Sequence, residues 1–181
     1  MDHPRATSTA PTLHTDRLIL RAQTVADFDA VARLWADPDV VRFISGQPHG
    51  AADSWARLLR QIGHWTALGY GYWAVIERAS GAYIGQAGFA DHKRGIDPAF
   101  DGLPEAGWVL MPDAHGRGLA SEAMAAAVRW ADEVAAWPRS FCILDPHHRA
   151  SERVAEKAGF ARVGIFPWNG GDTLVMDRSR G

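Results

Sequence analysis

Apolar positions recur along this chain with two different periods, and the switches between them mark the elements. Leu13 to Arg21, with Leu18, Ile19 and Leu20, predicts a first strand. Thr24 and Asp27 have the spacing of a capping box, with Asp in place of Glu or Gln. Phe28, Val31, Ala32, Leu34 and Trp35 then follow helical spacing, and Asp37-Pro38 ends that helix. Residues 42–51 read as a loop. Residues 52–68 predict a second helix, with Trp55, Leu58, Leu59, Ile62 and Trp65 on one face and Gly69 as its stop. Strands are expected at 72–77 and 82–89, joined by Ala79-Ser80-Gly81, and a polar loop fills 91–104. A fourth strand at 105–111 leads into an Ala-rich helix over 117–136. A short apolar strand at 141–144, a helix at 149–158 and strands at 160–166 and 173–176 complete the chain. The order predicts an α/β (α+β) fold: a mixed sheet of about seven strands flanked by about four helices.

The 181 residues suit one domain, expected over 13–181, behind a polar, Pro-containing tail at 1–12. Nineteen Lys and Arg against 21 Asp and Glu leave a net charge of −2. No general affinity for nucleic acid or an anionic membrane is expected from that balance. No apolar run reaches the roughly 20 residues of a membrane span, and the start lacks a secretory h-region. The single cysteine, Cys142, excludes an internal disulfide framework and suits a cytoplasmic, reducing compartment. It reads as a buried small hydrophobe in the 141–144 strand. The eight histidines are scattered, and His147-His148 with Cys142 lacks a zinc spacing, so no metal is expected.

The most informative stretch runs from Glu105 to Glu122, where a strand ends at Met111-Pro112 and His115-Gly116-Arg117-Gly118-Leu119-Ala120-Ser121 opens a helix. Glycines there let main-chain N–H groups approach a ligand, and a helix start offers unpaired N–H groups and a positive dipole end. Together they suit a pyrophosphate, with Arg117 as an added charge. A Walker A loop is excluded, because no Gly-Lys-Ser/Thr follows. Gly116-x-Gly118-x-x-Ser121 departs from a dinucleotide fingerprint at its third position. Asp145 also lies beyond the roughly 20-residue spacing of that motif.

The stretch resembles the coenzyme A pyrophosphate loop of the GNAT superfamily of N-acetyltransferases, Gln/Arg-x-x-Gly-x-Gly/Ala, with His115 at the first position. Thr15-Asp16-Arg17-Leu18-Ile19-Leu20-Arg21, Glu105-Ala106-Gly107-Trp108-Val109-Leu110 and His148-Arg149-Ala150-Ser151 through Lys157-Ala158-Gly159-Phe160 resemble blocks of its ribosomal-protein N-terminal acetyltransferase (Rim-type) branch. The similarity covers about residues 13–177. It implies a mostly antiparallel sheet with a splay between the fourth and fifth predicted strands. It also implies acetyl-CoA as cosubstrate, bound by Trp108, Val109 and Leu110 along the strand and by 115–121 at the turn. Leu110 N–H is then the expected oxyanion donor and Glu105 the candidate base, directly or through water. A solvated or salt-bridged strand-end carboxylate is the alternative for Glu105. Ser151 is the candidate acid, with helix capping as its alternative. His148 stands where the family has Asn, as a pantetheine contact or itself an acid or base. Tyr70, Tyr72 and Tyr83 are weaker acids.

The acceptor is expected between 43–50, the 91–104 loop and 167–172. Phe43, Trp73, His92 and Trp168 are the candidate pocket residues, Trp108 also lining it. Trp35, Trp55, Trp65 and Trp130 are expected in the core. The implied partner is an amine, either a protein N-terminus or a small molecule such as an aminoglycoside, polyamine or amino acid, on a monomer or homodimer. A non-catalytic acyl-CoA sensor is the other class open.

Overall fold

The computed structural model describes residues 10–180. Eight strands form one sheet: β1 (Leu13–His14), β2 (Leu18–Arg21), β3 (Tyr72–Glu77), β4 (Tyr83–Ala90), β5 (Glu105–Leu110), β6 (Arg139–Leu144), β7 (Ala161–Trp168) and β8 (Gly171–Ser179). Their order is β1-β2-β3-β4-β5-β6-β8-β7. Every pair is antiparallel except β5–β6, which is parallel. Five helices flank it: α1 (Phe28–Ala36), α2 (Pro38–Val41), α3 (Ala51–Leu68), α4 (Leu119–Trp130) and α5 (Arg149–Lys157). Among the described residues no helix is long and apolar enough to cross a membrane.

Two expected elements divide. The first strand is a hairpin, because Thr15 N–H donates to Leu18 O (3.0 Å) and closes a turn that pairs Leu13 with Leu20. Asp37 ends α1, and its carboxylate then accepts from the N–H groups of Asp39 and Val40, starting α2 with Pro38 in its first turn. These account for the eighth strand and the fifth helix. The Ala-rich helix is α-helical only to Trp130 and widens into a π turn over Ala131–Ala135. Asn169 and Gly170, both at positive φ, make the two-residue turn between β7 and β8.

Of the expected tail, residues 1–9 lie outside the described residues. Ala10 is buried in the core, and Pro11 O accepts from Trp73 Nε1 (2.8 Å), so the chain is packed from there on.

One core lies under α4, where Trp65, Trp73, Trp130 and Trp137 meet edge to face at centroid distances of 4.7–5.7 Å. The second, on the other face of the sheet, joins Val31, Leu34 and Trp35 of α1 to Leu58 of α3. Trp55 departs from expectation. It is 39% exposed and packs edge-on against Phe28, outside both cores.

On that second face, Tyr72 of β3 lies across Gly88 of β4 toward Gly107 of β5. A Cβ at Gly107 would meet the Tyr72 hydroxyl at 2.0 Å, and one at Gly88 would meet Gly71 O at 2.3 Å. Backbone at such a distance cannot yield as a flexible side chain can. Gly88→Ala is expected to destabilise the domain by about 1–3 kcal/mol. Urea unfolding checks this, and a change under about 0.5 kcal/mol, the ordinary surface value, would refute the close approach.

Candidate active site

The site begins with one strand edge. Met111 N–H donates to Ile84 O (2.8 Å), which sets the alternation along β5. Glu105, Gly107 and Val109 turn their main-chain groups toward β4, and Ala106, Trp108 and Leu110 turn theirs toward β6. Pairing with β6 is confined to the start: Phe141 N–H donates to Pro104 O (3.1 Å), and Glu105–Phe141 is the sole register pair. Past it the two strands diverge, and the N–H groups of Trp108 and Leu110 face the gap. Each strand is fully paired on its other edge, β5 with β4 and β6 with β8.

The glycine turn sits at the end of this gap. His115 Nε2–H donates to Leu110 O (2.8 Å), so the ring carries its proton on Nε2 and ties the turn to the strand end. Gly116 and Gly118 have φ of +70° and +76°. A Cβ on Gly116 would meet nothing within 4 Å. Gly118 is the N-cap of α4 and supplies no side-chain acceptor, so the first-turn N–H groups are left to a ligand or water. Leu119 is buried in the core and offers only its main chain to this surface, while Ala120 and Ser121 are half-buried. Arg117, expected at a phosphate, instead forms an ion pair with Glu77. Arg17 also reaches the turn: it donates to Arg117 O (2.9 Å) and pairs with Glu122 (2.6 Å).

The three expected catalytic side chains share the opening. Glu105 is 4% exposed and accepts two bonds from Arg94, Nε–H to Oε2 (2.6 Å) and Nη2–H to Oε1 (2.7 Å). It is thus the salt-bridged strand-end carboxylate, although still on the cleft wall. Burial pushes its pKa up, against the opposing pull of Arg94. His148 is the N-cap of α5, and its Nδ1 accepts from Ser151 N–H (3.4 Å). The ring packs on Phe43 at 4.4 Å. Burial lowers its pKa below 6.5, so the imidazole is neutral near pH 7. Ser151 is 8% exposed, in the first turn of α5, and borders the same cleft. Of the three tyrosines, Tyr72 reaches the cleft. Tyr70 packs on Trp137, and the Tyr83 hydroxyl is buried under α1 and α3.

The cleft has a volume of about 620 Å³, with α3 along one side and the β7–β8 hairpin along another. Phe43, His92, Trp108 and Trp168 line it. Trp73 does not: it is 0% exposed in the tryptophan cluster, with its indole N–H bound to Pro11. Trp35 belongs to the second core yet also borders the cleft. Burial and the surrounding arginines push His92 down to about 3, so it is uncharged there. Trp168 Nε1–H donates to Arg94 O (3.3 Å), and the Arg94 guanidinium lies 4.8 Å from the Trp168 ring centroid. Sequence reasoning missed Arg57, Arg94 and Gln86. Arg57, Arg60 and His64 recur at helical spacing opposite the apolar stripe of α3, a signal that also fits a solvated face.

The family model "Acetyltransferase (GNAT) domain" matches residues 17–161. A solved acetyltransferase from Agrobacterium tumefaciens is similar at 30% identity and a TM-score of 0.79, covering 97% of this chain and 98% of that one. The uncharacterized N-acetyltransferase p20 of Bacillus licheniformis is 24% identical over 156 residues, 86% of this chain and 85% of that protein. Spermidine N-acetyltransferase from Vibrio cholerae, solved with CoA and spermine, shares the fold at 17% identity and a TM-score of 0.71, over 92% of this chain and 97% of that one. These matches reach the family as a whole and do not single out its ribosomal-protein branch.

His148 generates a prediction that needs no substrate. Its folded pKa lies below 6.5, so charging it opposes the fold and stability is lost as pH falls through that region. Proton NMR titration is expected to show, besides the depressed His49 and His92, an imidazole with a midpoint below 6.5 that vanishes in His148→Gln. A midpoint at or above 6.5 would overturn the assignment.

Proposed function

The chain belongs to the GNAT acetyltransferase family, and from that premise we propose that it transfers an acetyl group from acetyl-CoA to a primary amine held in the 620 Å³ cleft, by direct attack in a ternary complex. The observation that carries this reading is the β5–β6 gap, which opens toward both the glycine turn and the cleft.

The residues present fit the cosubstrate. Main-chain N–H groups facing the gap at Trp108 and Leu110, with Val109 between them, suit an amide-bearing arm lying along the strand. The open positions at Gly116 and Gly118 and the N–H groups of 119–121 suit a pyrophosphate, bound by amides and the helix dipole instead of by Arg117. Acetyl-CoA supplies a thioester carbonyl that an uncharged amine attacks; a C–N bond forms, the C–S bond breaks, and a proton passes from nitrogen to sulfur overall.

This chain's groups divide that work. Leu110 N–H faces the gap and stabilises charge developing on the carbonyl oxygen. Glu105 accepts the amine proton, directly or through water, on lone pairs that Arg94 does not engage. His148, with Nδ1 occupied as an acceptor, carries its proton on Nε2 and faces the same opening as a donor for the departing sulfur. Ser151 holds the adjacent position on α5 as the second candidate donor. The cleft volume falls in the range of small-molecule sites, which favours a compact amine over the N-terminus of a folded ribosomal protein.

Thiol release from acetyl-CoA, screened against peptides, aminoglycosides, polyamines and amino acids, tests the reaction. Glu105→Gln is expected to lower kcat roughly 10²–10⁴-fold, the usual worth of a general base, while CoA affinity is retained. An equal loss of CoA affinity would remove Glu105 from the base role. Gly116→Trp is expected to abolish CoA binding in calorimetry with the fold intact by circular dichroism. Unchanged affinity would move the pyrophosphate away from the turn.

A further inference from the structure

The acceptor cleft holds cationic side chains without counter-ions. On α3, Arg57, Arg60, Gln61 and His64 follow one another at i, i+3, i+4 and i+7 and all border the cleft, facing His92 and Arg94 of the loop after β4. Arg94 has Glu105 as its partner. Neither Arg57 nor Arg60 takes part in any ion pair among the described residues. Arg57 is the more telling of the two. Its guanidinium stacks on Trp35, 3.6 Å from the ring centroid, and its Nε is buried with no hydrogen-bond partner.

A stacked ring satisfies the face of a guanidinium but none of its N–H donors. Among the charges acting on Arg57, Arg60 and Arg94 repel it, while Tyr72 and the carboxylate of Asp53 oppose them. Burial above all lowers its pKa to about 10, which leaves it protonated at neutral pH. The cleft's remaining carboxylates, Asp145 and Asp172, belong to the loop before α5 and the β7–β8 hairpin, and neither pairs with α3. Arg57 is half-buried and Arg60 exposed, so the cost falls on the buried Arg57 Nε–H, which stays unpaired unless an acceptor arrives to face it. On the sheet below, Gln86 is 1% exposed and its Oε1 also lacks a partner. It stands opposite Val109 on the same strand face as Glu105, an acceptor suited to an amine N–H.

We propose that the acceptor is a small amine that also carries an oxyanion, a carboxylate or phosphate, gripped by the Arg57 fork with Arg60 beside it while the amine end lies toward Gln86 and Glu105. The inference deepens the acetyltransferase reading and rests on it for the word acceptor. It sets this cleft apart from one built for a polycation, since Arg57 and Arg60 would repel a polyamine. A planar fork held flat by Trp35 is preorganised for bidentate contact with either oxyanion.

The test uses matched acceptors on the whole protein: amino carboxylates of graded chain length, their carboxamides, O-phosphoethanolamine, and spermidine. Among amines turned over, the anionic member is expected to exceed its neutral counterpart at least about tenfold in kcat/KM, the worth of a charge-assisted pair. The carboxylate and phosphate arms tell the two oxyanions apart. Arg57→Gln is expected to raise KM for the anionic acceptor roughly 10- to 100-fold with the carboxamide unaffected, and Arg57→Lys to recover part of the loss. Should Arg57→Gln fail to fold by circular dichroism, Arg60→Gln carries the same comparison. Spermidine or a carboxamide as the better acceptor, or equal losses on both members of a pair, would overturn the proposal. If no amine releases thiol, acetyl transfer fails separately. Calorimetry with the same pairs then decides the subsite: tighter binding of the anionic member, lost in Arg57→Gln, upholds it, and no difference overturns it.

Discussion

Everything in this site depends on β5 leaving part of one hydrogen-bonding edge unpaired. Main-chain N–H and C=O groups are costly to leave without partners when buried, so an open edge inside a sheet needs a reason to persist. Here the neighbours on either side are complete: β4 takes one edge of β5, and β8 takes one edge of β6. The gap between them therefore costs only the groups that face it, and the Leu110 carbonyl already has His115. That one bond fixes the glycine turn against the end of the strand. The two surfaces that would hold a long, polar cosubstrate are then parts of one rigid unit.

The ionic groups around the two ends of the site are arranged in opposite ways. At the glycine turn the arginines are engaged with protein carboxylates, Arg117 with Glu77 and Arg17 with Glu122. Attraction for an anion there comes from amides and the α4 dipole, which need no side-chain ordering. Glu122 also accepts from Thr15 Oγ1–H (2.6 Å) and Arg17 N–H (2.9 Å), so the N-terminal hairpin is pinned to the helix that carries the turn. In the cleft the pattern reverses. Arg57 and Arg60 are left without protein carboxylates, and Arg94 holds Glu105 from a loop anchored by Phe100 stacked on Phe141.

Sequence patterning is strongest where local and tertiary demands agree. The strands, the boundaries of α1, α3 and α5, and the glycine turn were legible because periodicity and stop signals coincide there. The hairpin at 13–21 was hidden, since the turn at Thr15 is stabilised by Glu122, more than 100 residues away. Trp73, on a predicted strand, and Trp168, beside the predicted turn, were equal candidates for the pocket. Only the packing of α4 puts one in a core and leaves the other over Arg94. Arg57 looked like an ordinary polar-face residue of an amphipathic helix. Its meaning comes from Trp35 and the loop after β4, which no local window contains.

Burial and hydrogen bonding also separate the two titratable groups that border the gap. Glu105 projects from β5, burial raising its affinity for a proton and Arg94 opposing that rise. His148 stands beyond β6 at the start of α5, where burial lowers its affinity and the Ser151 N–H fixes the tautomer. A carboxylate on one wall and a neutral N–H donor on the other have the complementary polarity that the proposed amine acylation calls for, an acceptor for the nitrogen proton and a donor for sulfur. The open edge that these two groups border has one structural origin, the early end of β5–β6 pairing.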